Sequence, residues 1–122
     1  MSAAAPSVWE EWIDVCAVDD VTPDTGVAVL VGDHQIAIVR VGDGDGDRQQ
    51  IFAVGNYDPF SRAFVMARGI VGDRGGIPKI ASPIFKQSFD LRTGQCLDDP
   101  GVRLPSYRTR VRDGRVAIYV TP

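Results

Sequence analysis

Catalysis by side chains needs reactive groups that can meet, and this chain carries few of them. His34 is the single histidine among 122 residues, and Cys16 and Cys96 stand 80 positions apart with no CxxC pair. A thiol nucleophile needs a neighbouring base to supply thiolate, and an imidazole base needs its own orienting partner. A zinc site built from one histidine and two distant cysteines would have to borrow carboxylates. The spacing supports none of these, so both cysteines read as reduced, partly buried structural thiols. Asp43, Asp45 and Asp47 have the spacing that opens a calcium-binding EF-hand loop. However, Arg48 and Val54 stand where that loop needs glycine and a bidentate glutamate, which leaves a solvated acidic loop. Gly69, Gly72, Gly75 and Gly76 match neither GxGxxG nor GxxxxGK[ST], and read as glycines for turns and close backbone approach.

The elements that must position any site are strands. Val27–Val31 and Ile36–Val39 are β-branched runs separated by Gly32-Asp33-His34-Gln35, which predicts a hairpin with His34 solvated in or beside its turn. A short strand over Gln50–Val54 follows the polar Gly42–Asp47 loop. Ser88–Leu91 leads into a Thr93-Gly94 turn and resumes at Gln95–Leu97. Tyr107, Thr109 and Val111 alternate with Arg108, Arg110 and Arg112, the period of a half-buried strand. Asp113-Gly114 is the pair a type I′ turn requires, and Arg115–Val120 returns as partner. Turn signals about every ten residues predict an all-β sandwich or barrel, with no amphipathic helix of useful length. The stretch from Asn56 to Pro83 lacks clear alternation and reads as a long, conformationally specified loop region, where function usually lies.

Length predicts one domain, with residues 1–8 a disordered tail and 9–122 the folded β domain. Hydrophobic residues make up 44% of the chain, enough for a core, and no apolar run approaches the length of a membrane helix. The first residues lack the basic and apolar regions of a signal peptide. Residues 1–61 hold 11 acids and 2 bases, and residues 62–122 hold 5 acids and 11 bases. Because strands of both halves interleave in a β domain, this predicts a mixed, solvated surface and no nucleic-acid face.

From Ser82 the chain reads Ser-Pro-Ile-Phe-Lys-Gln-Ser-Phe-Asp-Leu-Arg-Thr-Gly-Gln-Cys-Leu, and upstream lies Asn56-Tyr57-Asp58-Pro59-Phe60. These stretches resemble the second and first cluster loops of Rieske domains, with their Cys-Pro-x-His and Cys-x-His. A Rieske cluster takes two cysteines on one iron and two histidines on the other. Position by position, the ligands become Asp58, Phe60, Ser82 and Phe85, so all four are absent, and one histidine cannot supply two. Together with Arg68–Gly76 between the loops, this pattern resembles the small subunits of assimilatory NAD(P)H-dependent nitrite reductases. The Gly42–Asp47 loop departs from that pattern as an insertion in a surface turn.

The resemblance implies a Rieske-like antiparallel β sandwich or barrel with two degenerate cluster loops. It also implies a cytoplasmic complex in which a large subunit carries FAD, an iron–sulfur cluster and siroheme and reduces nitrite to ammonium. This chain would dock on that subunit with no catalytic, cofactor-binding or metal-binding residue of its own, and with no nucleic acid or membrane as partner. Phe60 and Phe85 are expected to fill part of the former cluster volume, and Asp58 and Ser82 to make turn hydrogen bonds. The loops form an exposed tip in Rieske domains, so the expected partner contacts are Arg62, Arg68, Arg74, Lys79 and Lys86. Two other readings stand beside this one: an electron-transfer partner, or a Rieske-fold scaffold, for another oxidoreductase.

Overall fold

The computed structural model describes residues 11–42 and 50–120. The expected N-terminal tail and the Asp43–Asp47 acidic loop lie outside the described residues. The chain forms twelve strands: β1 (Glu11–Ala17), β2 (Thr25–Val31), β3 (His34–Val41), β4 (Gln50–Gly55), β5 (Tyr57–Asp58), β6 (Ala63–Phe64), β7 (Ile70–Arg74), β8 (Ile77–Ala81), β9 (Ser88–Asp90), β10 (Ser106–Tyr107), β11 (Thr109–Arg112) and β12 (Arg115–Val120). Two single-turn 3₁₀ helices, Val18–Asp20 and Met66–Arg68, are the helical elements among the described residues. All pairing is antiparallel, in sheets ordered β1-β12-β11, β10-β4-β3-β2, β5-β6 and β7-β8-β9. This is the all-β, antiparallel architecture the sequence implied.

Strand β3 explains how a small domain supports a site at one end. Ile36, Ala37, Ile38 and Val39 are each fully buried. Ile36 and Ile38 pack with Cys16, Val18, Val21, Ile51, Ala53, Val116 and Ile118. Ala37 and Val39 pack on the opposite side with Val54, Met66, Ile80, Phe89, Leu91, Cys96 and Leu104. A strand covered on both faces needs a continuous apolar run, which this one has. Burying each isoleucine contributes roughly 1.5–3 kcal/mol relative to exposure. The second cluster is the floor beneath the Asn56–Ser88 region.

The turn expectations hold. Val31 pairs with His34 across Gly32-Asp33, and Arg112 pairs with Arg115 across Asp113-Gly114, whose φ values of 51° and 75° are both positive. Gly94 has φ 84° in the turn that joins Phe89 to its bridge partner Cys96. Both cysteines are free and buried, and His34 is exposed.

Two expectations change. The Asn56–Pro83 stretch is more regular than its sequence suggests, because β7 and β8 form a hairpin across Gly75-Gly76. Pro78 and Gly72 within it obscure the alternation. The strand expected through Tyr107 and Val111 divides at Arg108, with β10 pairing to β4 and β11 to β12. Val111 is therefore 44% exposed, where alternation predicted an inward position.

Candidate functional site: two matched loops

Asn56 and Ser82 open two loops at the same end of the fold. Asn56 is buried, and its Oδ1 accepts from the Ala67 amide at 2.7 Å while its carbonyl accepts from the Met66 amide at 3.0 Å. These bonds close the first loop at its base. Within it β5 pairs with β6, and the Tyr57 and Phe64 rings meet at 5.0 Å.

The two loops share one local design. Asp58-Pro59-Phe60-Ser61-Arg62 and Ser82-Pro83-Ile84-Phe85-Lys86 each begin with a short oxygen-bearing side chain before proline. The Phe60 amide donates to Asp58 Oδ1 at 2.9 Å, and the Ile84 amide donates to Ser82 Oγ at 3.2 Å. Four residues on, the Arg62 amide donates to the Asp58 carbonyl at 2.7 Å and the Lys86 amide to the Ser82 carbonyl at 3.1 Å. Arg62 and Lys86 both adopt the left-handed conformation, with φ 60° and 70°. Side-chain oxygens that accept from an amide two residues on make such turns self-supporting.

The loops are joined through Asp58 and Ser82, the two residues expected at the cysteine positions. Asp58 and Ser82 are fully buried, and Ser82 Oγ donates to Asp58 Oδ2 at 2.5 Å. Ser61 Oγ donates to the same oxygen at 2.7 Å. Burial pushes the Asp58 carboxyl upward, but the hydrogen bonds from Ser82, Ser61 and the loop amides outweigh it. They hold the group below the usual aspartate range. The carboxylate is thus an ionised hub for the Ser82 and Ser61 hydroxyls and the Phe60 amide, and hydrogen bonds to charged oxygen are the strong kind.

The histidine positions part company. Phe60 is half-buried and packs against the second core cluster, its ring 6.2 Å from that of Phe89. Phe85 is 57% exposed, so the expectation that it fills an internal volume is corrected. The two loops differ here: Ser61, matched to Phe85, turns inward to Asp58, while Phe85 and Ile84, matched to Ser61 and Phe60, both turn outward. Tyr57 and Phe64 in the first loop and Ile84 and Phe85 in the second are all exposed, apolar positions that the sequence reading missed. Their signal was the repeated pentapeptide pattern and the aromatic residues flanking the first loop. Beside the first loop a hollow of about 260 Å³ is lined by His34, Asn56, Tyr57, Phe64, Arg103 and Tyr107.

The five expected contact residues lie on the two loops, the second 3₁₀ turn and the β7–β8 hairpin. Arg62 and Lys86 take equivalent places in the two loops, and Arg68 is exposed at the end of the second 3₁₀ turn. Arg74 lies at the turn end of the β7–β8 hairpin, paired to Asp98 at 3.2 Å. Lys79 is half-buried on β8.

The donor set does not fit a Rieske cluster. Two phenylalanines have no lone pair for iron, and the Asp58 and Ser82 oxygens are already committed to each other and to loop donors. No cluster of three or more histidine, cysteine or carboxylate side chains suited to a metal occurs among the described residues.

Comparison with known proteins agrees with the loop resemblance. Residues 11–119 match the Rieske-like [2Fe-2S] domain family. The nitrite reductase (NADH) small subunit of Escherichia coli K12 is 41% identical over 108 residues, covering 88% of this chain and 96% of that protein. A structure from Mycobacterium tuberculosis, described as an NADH-dependent nitrite reductase small subunit, superposes with a TM-score of 0.83. It is 47% identical and covers 93% of this chain and 97% of that one. A stretch of the Klebsiella oxytoca nitrite reductase [NAD(P)H] large subunit is 34% identical over 105 residues, 86% of this chain but 10% of that protein.

Proposed function

The chain belongs to the Rieske-like [2Fe-2S] domain family, and from that premise we propose that it is the accessory small subunit of an NAD(P)H-dependent nitrite reductase. It docks on the large subunit and supplies no redox group itself. The observation that carries this is the Asp58–Ser82 hydrogen bond: the two positions that would grip iron grip each other, while the loops around them keep an exposed surface. The Klebsiella match supports the partnership, because there a domain of this kind is part of the large-subunit polypeptide itself. FAD, an iron–sulfur cluster and siroheme are assigned to the large subunit, and the complex to the cytoplasm. Among the described residues no helix is long and apolar enough to cross a membrane.

On this reading the chemistry of this chain is positional. Loops pinned by Asp58 present Tyr57, Phe64, Ile84 and Phe85 without further ordering on binding, which keeps the entropic cost of association low. Arg62 and Lys86, one in each loop, steer the encounter and fix its register. The test is reconstitution with nitrite and reduced nucleotide. The chain alone should give no turnover, and the large subunit alone should turn over poorly until this chain is added. Full turnover by the large subunit alone would defeat the proposal.

A further inference from the structure

A second surface lies on the β1-β12-β11 sheet, apart from the loops. Its inner face sends Cys16, Val116 and Ile118 into the core. The outer face follows from the register: Trp12 beside Tyr119 and Arg108, Asp14 beside Ala117 and Arg110, and Arg112 beside Arg115. The Arg108 guanidinium lies 5.0 Å from the Tyr119 ring centroid and 5.6 Å from that of Trp12, and Arg110 lies 4.5 Å from Trp12. Stacking over rings fixes a guanidinium while leaving its N–H edge available. Arg115 is committed to Asp14 at 2.6 Å. Among the described residues Arg108, Arg110 and Arg112 form no ion pair. A hollow of about 280 Å³ lies beside this row, lined by Trp12, Asp14, Arg110, Arg112, Asp113 and Arg115.

Among the described residues the outer edge of that sheet is unpaired at Val111, beyond Thr109, whose hydroxyl donates to the Ile51 carbonyl of β4 at 2.8 Å. Arg112 pairs with Arg115 across a two-residue turn, so the backbone groups of residues 108, 110 and 112 face β12, as the Tyr119 amide bond to the Arg108 carbonyl shows. Those of Val111 then face away from β12. Val111 is exposed, and its N–H and C=O have no partner among the described residues.

We propose that β11 and its arginine row are a docking site for an acidic, extended polypeptide segment that adds to the sheet as a further strand. Alternate residues of a strand recur about every 6.8 Å. Arg110 and Arg112, which flank Val111, therefore match carboxylates at alternate positions of an added strand, while Val111 supplies the backbone bonds and Arg108 extends the positive row where the chain turns to β4. The surface fits protein better than nucleic acid. Trp12 is already covered by guanidinium groups and cannot stack a base, and the unpaired Val111 backbone groups call for a peptide backbone, which nucleic acid lacks.

The site is tested by NMR titration of the full chain with a peptide alternating glutamate and valine. A lysine–valine peptide and an oligothymidylate serve as controls. The expected result is saturable shifts at Thr109–Arg115 and the Trp12 indole, slowed exchange of the Val111 amide, and affinity that falls as salt rises. Arg110→Glu with Arg112→Glu should weaken binding by at least about tenfold, the loss of one good charge pair. Val111→Pro keeps every charge but removes the outward N–H, and should weaken binding similarly. The wild-type Val111 exchange measurement stands even if that variant folds poorly. Unchanged Val111 exchange, shifts centred on other elements, or tighter binding of oligothymidylate than of the acidic peptide would each overturn the proposal. Charges that serve only to blunt an edge strand against aggregation would give no saturable shifts at all.

Discussion

Removing one hydroxyl probes the loop clasp most directly. Ser82→Ala leaves the buried Asp58 carboxylate one donor short, and should cost about 1.5–3 kcal/mol at neutral pH. The pH dependence has a definite sign. Asp58 is held below its usual value in the folded chain, so its ionisation contributes stability in full above the ordinary aspartate range. That contribution is lost as pH falls through the lowered, folded value. Without Ser82 the folded value rises, so the gap between wild type and variant should narrow as the acid limb is descended. Thermal melts of both proteins across that limb are the measurement, and a gap that widens in acid would contradict the clasp. The loop resemblance singled out Asp58 and Ser82 as the residues at the expected cysteine positions. That they touch was not legible, since the contact spans 24 residues and depends on how two loops pack. Phe60 and Phe85 show the same limit, because residue type alone does not say which way a loop side chain turns. Phe60→Ala should cost roughly 2–4 kcal/mol, somewhat less than a fully buried phenylalanine, and Phe85→Ala within about 0.5 kcal/mol. Equal melting shifts for the two would mean that the loops are arranged differently.

Among the elements, the join between the second 3₁₀ turn and β7 controls the spacing of the loops. A Cβ on Gly69 would collide with the Ala81 carbonyl and come within 2.8 Å of Ile80 Cγ1. Both neighbours belong to β8, whose end leads into Ser82. Gly69→Ala should therefore drive the loops apart and cost more than about 2 kcal/mol, as overpacking against backbone does. Exposed Gly72→Ala, whose Cβ meets only the end of Lys79, is the control, expected within about 0.5 kcal/mol. Melting temperatures decide, and equal shifts would mean that Gly69 is not a close-approach site. Strands with two-residue turns were readable, because Gly32 and Asp113-Gly114 declare their φ requirements locally. The β7–β8 hairpin was hidden by the residues that shape it, with Pro78 set opposite Asp73 and Gly72 removing a side chain from the alternation. The break at Arg108 left no local mark, since both flanking strands keep period two while changing sheets.

For the whole molecule, the distribution of charge separates contact residues from bystanders. Arg62→Glu with Lys86→Glu reverses one charge in each loop and should slow association with the large subunit about tenfold at low salt, with less effect at high salt. Arg74→Glu breaks only the pair with Asp98, and should leave the on-rate within about twofold. Interferometry at two salt concentrations reads both. An unchanged on-rate in the folded double variant would move the interface off the loops. Sequence composition placed most of the basic residues in the second half, yet could not say that they divide between the loops and the β11 face. That division follows from strand order alone.

The Asp58–Ser82 clasp has a consequence for how the protein is made. A carboxylate gripping a hydroxyl has no oxidation state, loses nothing to a chelator, and is complete once the chain has folded. A metal-held tip would wait on iron supply and remain open to damage by oxygen. Built this way, the loop pair takes its shape from the polypeptide alone, at the moment of folding.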